Sequence, residues 1–180
     1  MASARQPLLR TYRPSDHDAL LSLWSRCGLL RPWNDPRRDI ERKLAHDLDG
    51  FLVLEVGEWL AGTVMAGYDG HRGWVNYLAV DPTYQGQGLG RLLMREAERR
   101  LLAVGCPKVN LQVRTSNEGA VAFYRHLGYH VDDVVSMGKR LIDDAVPQQS
   151  PNSTPARRAD PKVHRTPGSG QPAPLQASSR

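Results

Sequence analysis

The 180-residue sequence predicts an α/β fold, a mixed and mostly antiparallel sheet flanked by helices. Three observations predict it. Strand-like runs at Phe51–Val56, Trp59–Tyr68 and Trp74–Val80 follow one another across short turn signals, Gly57-Glu58 and Asp69–Gly73, which argues antiparallel pairing. A strand, a long helical pattern and another strand span residues 74–113, which argues one parallel, right-handed crossover. Two shorter helical patterns precede the first of these strands.

The elements follow in order. LLRTY (Leu8–Tyr12) alternates as a short strand. Ser15 is placed to cap a helix, with Asp18 three residues on as in a capping box. Leu20, Leu23, Trp24 and Cys27 recur at helical spacing until Gly28 ends the run. LLRPWNDP is a loop, after which Asp35 and Pro36 read as the N-cap and first residue of a second helix with Ile40, Leu44 and Leu48 on its apolar face. Beyond the three strands, Asp81-Pro82 is a stop, and Leu89, Leu92, Leu93, Ala97 and Leu101 mark a long amphipathic helix ending near Gly105. Val109–Val113 reads as a strand, Ala120–Leu127 as a short helix stopped by Gly128, and Tyr129–Leu141 as one or two final strands. The order β-α-α-β-β-β-α-β-α-β fills residues 1–146 as one domain without internal repeat.

Composition narrows the function. Apolar residues make up 40% and charged residues 24%, as in a soluble globular chain. Of the net charge of +5, residues 147–180 carry five basic residues and one acidic, so only +1 is left for the domain. A nucleic-acid groove needs its basic residues on the folded body, so no nucleic-acid partner is expected. Residues 147–180 are rich in Pro, Ser, Gln and Gly, too poor in large apolar groups to offset the entropy of ordering, and read as a disordered basic tail. Cys27 and Cys106 have neither disulfide-framework nor zinc spacing. No run approaches the roughly 18 apolar residues of a membrane span, and no apolar stretch of signal-peptide length starts the chain, so a cytoplasmic protein without a membrane partner is expected.

The most informative stretch is YQGQGLGRLL, residues 84–93, where Gly86, Gly88 and Gly90 immediately precede a helix. A helix start offers unpaired N–H groups and the positive end of its dipole, and glycine lets backbone approach a ligand closely. The combination suits phosphate or pyrophosphate. It lacks the Lys-Ser/Thr end of a Walker loop, and its glycine spacing is not that of a dinucleotide fingerprint. LAVDPTYQGQGLGRLLM instead resembles the acetyl-CoA motif of the GNAT family (Gcn5-related N-acetyltransferases), Gln/Arg-x-x-Gly-x-Gly/Ala, met by Gln85, Gly88 and Gly90. VRTSNEGAVAFYRHLGY, residues 113–129, resembles the second family signature, an Asn followed by a helix bearing a Tyr and then Leu-Gly-Tyr/Phe. RPWNDP, GYDGHRG, GCPK and GKRLI further resemble the small bacterial YpeA-type members, and the tail has no counterpart in that likeness.

The resemblance implies an acetyl-CoA-dependent N-acetyltransferase, an acyltransferase that moves the acetyl group directly to a primary amine: a protein N-terminus, a lysine or a small amine. Acetyl-CoA would be the donor substrate and no metal is implied; monomer and homodimer stay open. The amides from Gly86 through Gln87, Gly88, Leu89 and Gly90 to Arg91 would hold the pyrophosphate. The strand at Leu78, Ala79 and Val80 would splay from Val109–Val113, leaving a gap for the pantetheine arm, which Asn117 would help to fix. Tyr124 would be the general acid, or a hydrogen-bond donor to the leaving thiolate. A lysine-like amine costs roughly 4.6 kcal/mol to deprotonate at pH 7, an N-terminal α-amine only about 1–1.4 kcal/mol. Where some relatives have a basic Glu this sequence has Gln112, which cannot accept a proton, so the base is left to Asp69, His71, Glu118 or a water chain. Arg31, Trp33 and Asp35 sit where family members shape the acceptor pocket. The alternative activity is a catalytically silent acyl-CoA-binding module.

Overall fold

A computed structural model describes residues 6–144, and the expected tail at 147–180 lies outside the described residues. The elements are β1 (Pro7–Thr11), α1 (His17–Arg26), α2 (Pro36–His46), β2 (Phe51–Val56), β3 (Trp59–Tyr68), β4 (Gly73–Val80), α3 (Leu89–Ala103), β5 (Val109–Leu111) and α4 (Glu118–His126), with short 3-10 turns at Pro14–Asp16 and Pro82–Tyr84. The strands lie side by side in chain order, the first four antiparallel and β4–β5 parallel. This is the mixed sheet expected, with the crossover helix α3 between its two parallel strands.

Both faces of the sheet are covered, which is why FLVLEV shows no polar alternation at its start. On one face Leu52, Leu54, Val64 and Val75 pack with Leu89, Leu93, Met94, Ala97 and Leu101 of α3. On the other, Phe51, Val53 and Met65 pack with Leu20, Leu23 and Trp24 of α1 and Ile40 of α2. Phe51 and Trp24 are fully buried, and for Phe51 transfer alone contributes about 3 kcal/mol at most. No helix among the described residues is long and apolar enough to cross a membrane.

Four details depart from the sequence expectation. Ser15 is not the cap. Asp16 holds the position before α1 without a side-chain cap bond to it; its buried carboxylate instead reaches back across the 3-10 turn, accepting from the backbone N–H of Arg13 at 2.7 Å and from Arg10 at 2.7 and 2.8 Å. Burial alone would raise the Asp16 pKa, but these donors outweigh it and hold the group below the usual carboxylate range. Leu48 lies beyond α2 and Leu92 faces outward on α3, both more than a third exposed. The strand β5 stops at Leu111. Finally, residues 129–144 form no strand. The run has β-branched residues, but polar bonds hold it instead: Lys108 to Asp132, Gln112 to Ser136 and Arg42 to Asp144. Val131, Val134, Val135 and Met137 are left exposed.

Candidate active site

The site begins with a fault in β4. Thr63 of β3 faces Ala79, but Met65 faces Asn76, so Val64 opposes both Tyr77 and Leu78. That is a β-bulge, and it bends the strand. Tyr77 takes φ 51°, the one left-handed non-glycine residue among those described. On its other side β4 pairs with β5 only from Gly73 to Val75. From the bulge onward, the β5-side edge of β4 is open.

The open edge carries usable backbone. Asp81 donates its N–H to Ala61 at 2.8 Å, which makes Val80–Gly62 a non-hydrogen-bonded pair. The N–H and C=O of Val80 therefore point away from β3, into the gap. The carbonyl is engaged, by the Gln85 side-chain amide at 3.0 Å and the Cys27 thiol at 3.4 Å. Gln85 thus ties the glycine loop to the end of β4. The Val80 N–H has no partner on β3.

The loop continues into α3 with two kinds of glycine. Gly86 and Gly88 have φ of 76° and 81°, and a Cβ on either would touch nothing, so the backbone conformation alone demands glycine there. Gly90 has ordinary dihedrals, but a Cβ would lie 3.2 Å from the Phe123 ring. Its missing side chain lets α4 close on the start of α3. The first helical bond is donated by Leu92 to Gly88. The N–H groups of Leu89, Gly90 and Arg91 precede it and lack a carbonyl four residues back. Gly86, Gln87 and Gly88 are exposed, so this positive helix end faces open space.

Phe123 brings its neighbour with it. Tyr124 packs edge-on between Phe123 and Tyr129, with ring centroids 5.1 and 5.6 Å away. Burial pushes its phenol up to about 12. Asn117 caps α4, its side-chain oxygen accepting the Ala120 N–H at 3.1 Å, which leaves its amide NH₂ to reach a ligand.

The base candidates lie elsewhere. Asp69 and His71 sit in the β3–β4 turn, before Gly73, at the far end of β4. Five residues at about 3.3 Å each separate Gly73 from Leu78, roughly 16 Å. Asp69 already accepts from the N–H groups of Arg72 at 2.6 Å and His71 at 2.8 Å and from the Trp74 indole at 3.0 Å. These bonds, Arg72 first, hold its carboxyl below the usual range, making it a weaker base. The geometry does not bring either residue to the gap. Glu118 is exposed in the first turn of α4.

Of the acceptor candidates, Arg31 spends one guanidinium nitrogen on the carbonyls of Gly28 and Leu30 at 2.8 and 3.0 Å. Trp33 is exposed, with the Arg114 guanidinium 5.6 Å over its ring. Asp35 caps α2 through the Arg37 N–H at 2.9 Å, as expected. Sequence reasoning missed Tyr77 and Asp39. The Tyr77 ring stacks on Trp24 at 4.0 Å and its hydroxyl donates to Asp39 at 2.6 Å, linking the bulge to α2. The only signal was a bulky hydroxyl within an apolar strand.

Comparison with known proteins points to one family and its fold. Residues 17–129 match the family model described as the acetyltransferase (GNAT) family. An acetyltransferase of Pectobacterium atrosepticum is 50% identical over 136 residues, covering 76% of this chain and 96% of the relative. Among solved structures, Naa20 of Chaetomium thermophilum in complex with a bisubstrate analogue is 26% identical with TM-score 0.57, over 69% of this chain and 71% of that one. An aminoglycoside 6'-N-acetyltransferase of Acinetobacter haemolyticus shares the fold at 18% identity and TM-score 0.61, over 76% and 99% of the two chains.

Proposed function

This chain belongs to the acetyltransferase (GNAT) family and is an acetyl-CoA-dependent acyltransferase, and from that premise we propose that it acetylates a primary amine directly at the opened end of β4. The observation that carries this reading is the unpaired edge of β4 beside the bare N-terminus of α3. The pyrophosphate of CoA lies on the amides from Gly86 to Arg91, where the helix end favours an anion. The pantetheine arm runs along Leu78–Val80 as an added strand. The Asn117 amide NH₂ donates to it.

In the reaction the neutral amine attacks the thioester carbonyl, a C–N bond forms, and the C–S bond breaks. The amine's surplus proton passes to water, and CoA leaves as a thiolate. The Val80 N–H faces the gap and serves the tetrahedral oxyanion, a kind of donor whose removal typically costs about 10²–10³ in rate. Tyr124, with a phenol near 12, stays protonated and donates a hydrogen bond to the thiolate. Full transfer to a thiol of ordinary pKa about 8.5 is uphill, so the hydrogen bond comes first. No side-chain base is assigned; a water chain takes that part. The domain boundary near residue 146 and the narrower YpeA-type likeness belong to the same reading.

Gln112, bonded to Ser136 at 2.5 Å where a base is expected, favours a second reading, a silent acyl-CoA-binding module. Calorimetric titration of CoA, with thiol release measured against a panel of amines and N-terminal peptides, separates the two. CoA binding with turnover supports the enzyme. Binding without turnover across the panel favours the silent module, and no CoA binding removes both.

A further inference from the structure

Between α2 and the last described segment lies an open groove of about 590 Å³. Tyr77 links it to the reaction centre: its hydroxyl holds Asp39, in the groove wall, and its backbone forms the bulge beside Leu78. The same helix carries a two-arginine clamp, and Arg42 also lies 3.5 Å from Asp39. Arg42 grips both carboxylate oxygens of Asp144 at 2.5 and 3.0 Å, and Arg38 donates to one of them at 3.0 Å. A planar fork on both oxygens is the geometry by which arginine recognises a carboxylate.

The occupant of this clamp belongs to the chain itself. Asp144 is itself buried, but it is the last described residue of a stretch with no helix or strand whose apolar side chains from Val131 to Ile142 are largely exposed. Such a segment has little burial to hold it in place. Lys139 lines the same groove without an ion-pair partner among the described residues, so the groove stays cationic there even with Asp144 seated. Leu141 and Ile142 add an apolar wall.

We infer that this groove is the acceptor site and that it takes amines that also carry a carboxylate, amino acids above all, whose carboxylate replaces Asp144 between Arg38 and Arg42. The amine then points toward Asp39, Tyr77 and the open end of β4, and the apolar wall receives the side chain. This rests on the acetyl-transfer reading and narrows its acceptor to a class.

The test compares leucine, methionine and phenylalanine with their carboxamides, which keep the amine and lose the charge. Thiol release with acetyl-CoA should favour the acids by tenfold or more in kcat/KM. Arg42→Gln should bring that ratio close to one, and Asp144→Asn should raise acid affinity severalfold. The Arg38 and Arg42 side chains are about half exposed, and a melting temperature within a few degrees of wild type confirms that the variants fold. Calorimetric titration of the acids and amides into CoA-saturated Asp144→Asn protein reads the site without turnover. Equal affinity for acid and amide, no binding of either, or an acid preference that survives Arg42→Gln overturns the inference. A separate CoA titration shows whether the donor reading stands or falls independently.

Discussion

The two ends of β4 make opposite use of the same strand. From Gly73 to Val75 it is paired on both sides, and the turn before it is braced by Asp69. From Tyr77 to Val80 it keeps β3, loses β5 and carries the bulge. The first end satisfies its backbone within the protein; the second leaves backbone facing a gap. An exposed strand edge is ordinarily a hazard for aggregation; under the proposed function a ligand with amide groups of its own covers it. The proposed active end is therefore the less complete piece of sheet, and at the finished end Asp69 already spends its carboxylate on the turn.

The contrast can be broken by mutation. Tyr124→Phe removes only a hydroxyl at the open end, and kcat should fall by about 10²-fold while the Kd for acetyl-CoA changes less than threefold; unchanged kcat would take Tyr124 out of the mechanism. Gly90→Val drives a side chain into Phe123, 3.2 Å from where a Cβ would sit, and should raise the KM for acetyl-CoA about tenfold with some loss of stability. Gly88→Ala meets no atom, so it should cost only the strain of a left-handed residue, about 1–2 kcal/mol; a melting curve tests this, and a larger loss would mean an unseen contact. At the closed end Asp69→Asn should lower the melting temperature by a few degrees with kcat within threefold, and His71→Ala should leave kcat within twofold. A hundredfold loss in either would restore the turn to the chemistry.

The pH profile sharpens the comparison last, since it should show no effect. Burial raises the Tyr124 phenol to about 12. A raised pKa keeps the donor form present up to that value, so kcat should show no alkaline decline traceable to Tyr124 below about pH 11. A decline centred near 10 that disappears in Tyr124→Phe would contradict the burial.

Much of this was legible in the sequence. Phe51–Val56 and Trp59–Tyr68 begin and end where expected, because unbroken apolar runs between turn residues leave little freedom of register. Three glycines before a helix pointed to a bare, exposed helix start, which the structure has, although one of them serves helix packing. The bulge was not legible: WVNYLAV places a tyrosine, not a glycine, at positive φ, held there by stacking on Trp24 and the bond to Asp39, contacts from distant parts of the chain. The expected strands in 129–141 failed for the converse reason. Local β propensity was present, but a strand also needs a neighbour, and side-chain bonds to Asp132, Ser136 and Asp144 placed this segment instead.

The strand order also has a kinetic consequence. β2, β3 and β4 are joined by tight turns, so their pairing closes short loops and can form early. β5 reaches β4 only after the whole of α3 has folded across, and then through three residue pairs. The two walls of the gap are thus joined by the thinnest seam in the sheet. Amide exchange should be slowest in β2 and β3 and faster by orders of magnitude in β5 and α4, and acetyl-CoA, lying across that seam, should slow the faster set most. The donor substrate would then complete the tertiary structure it binds.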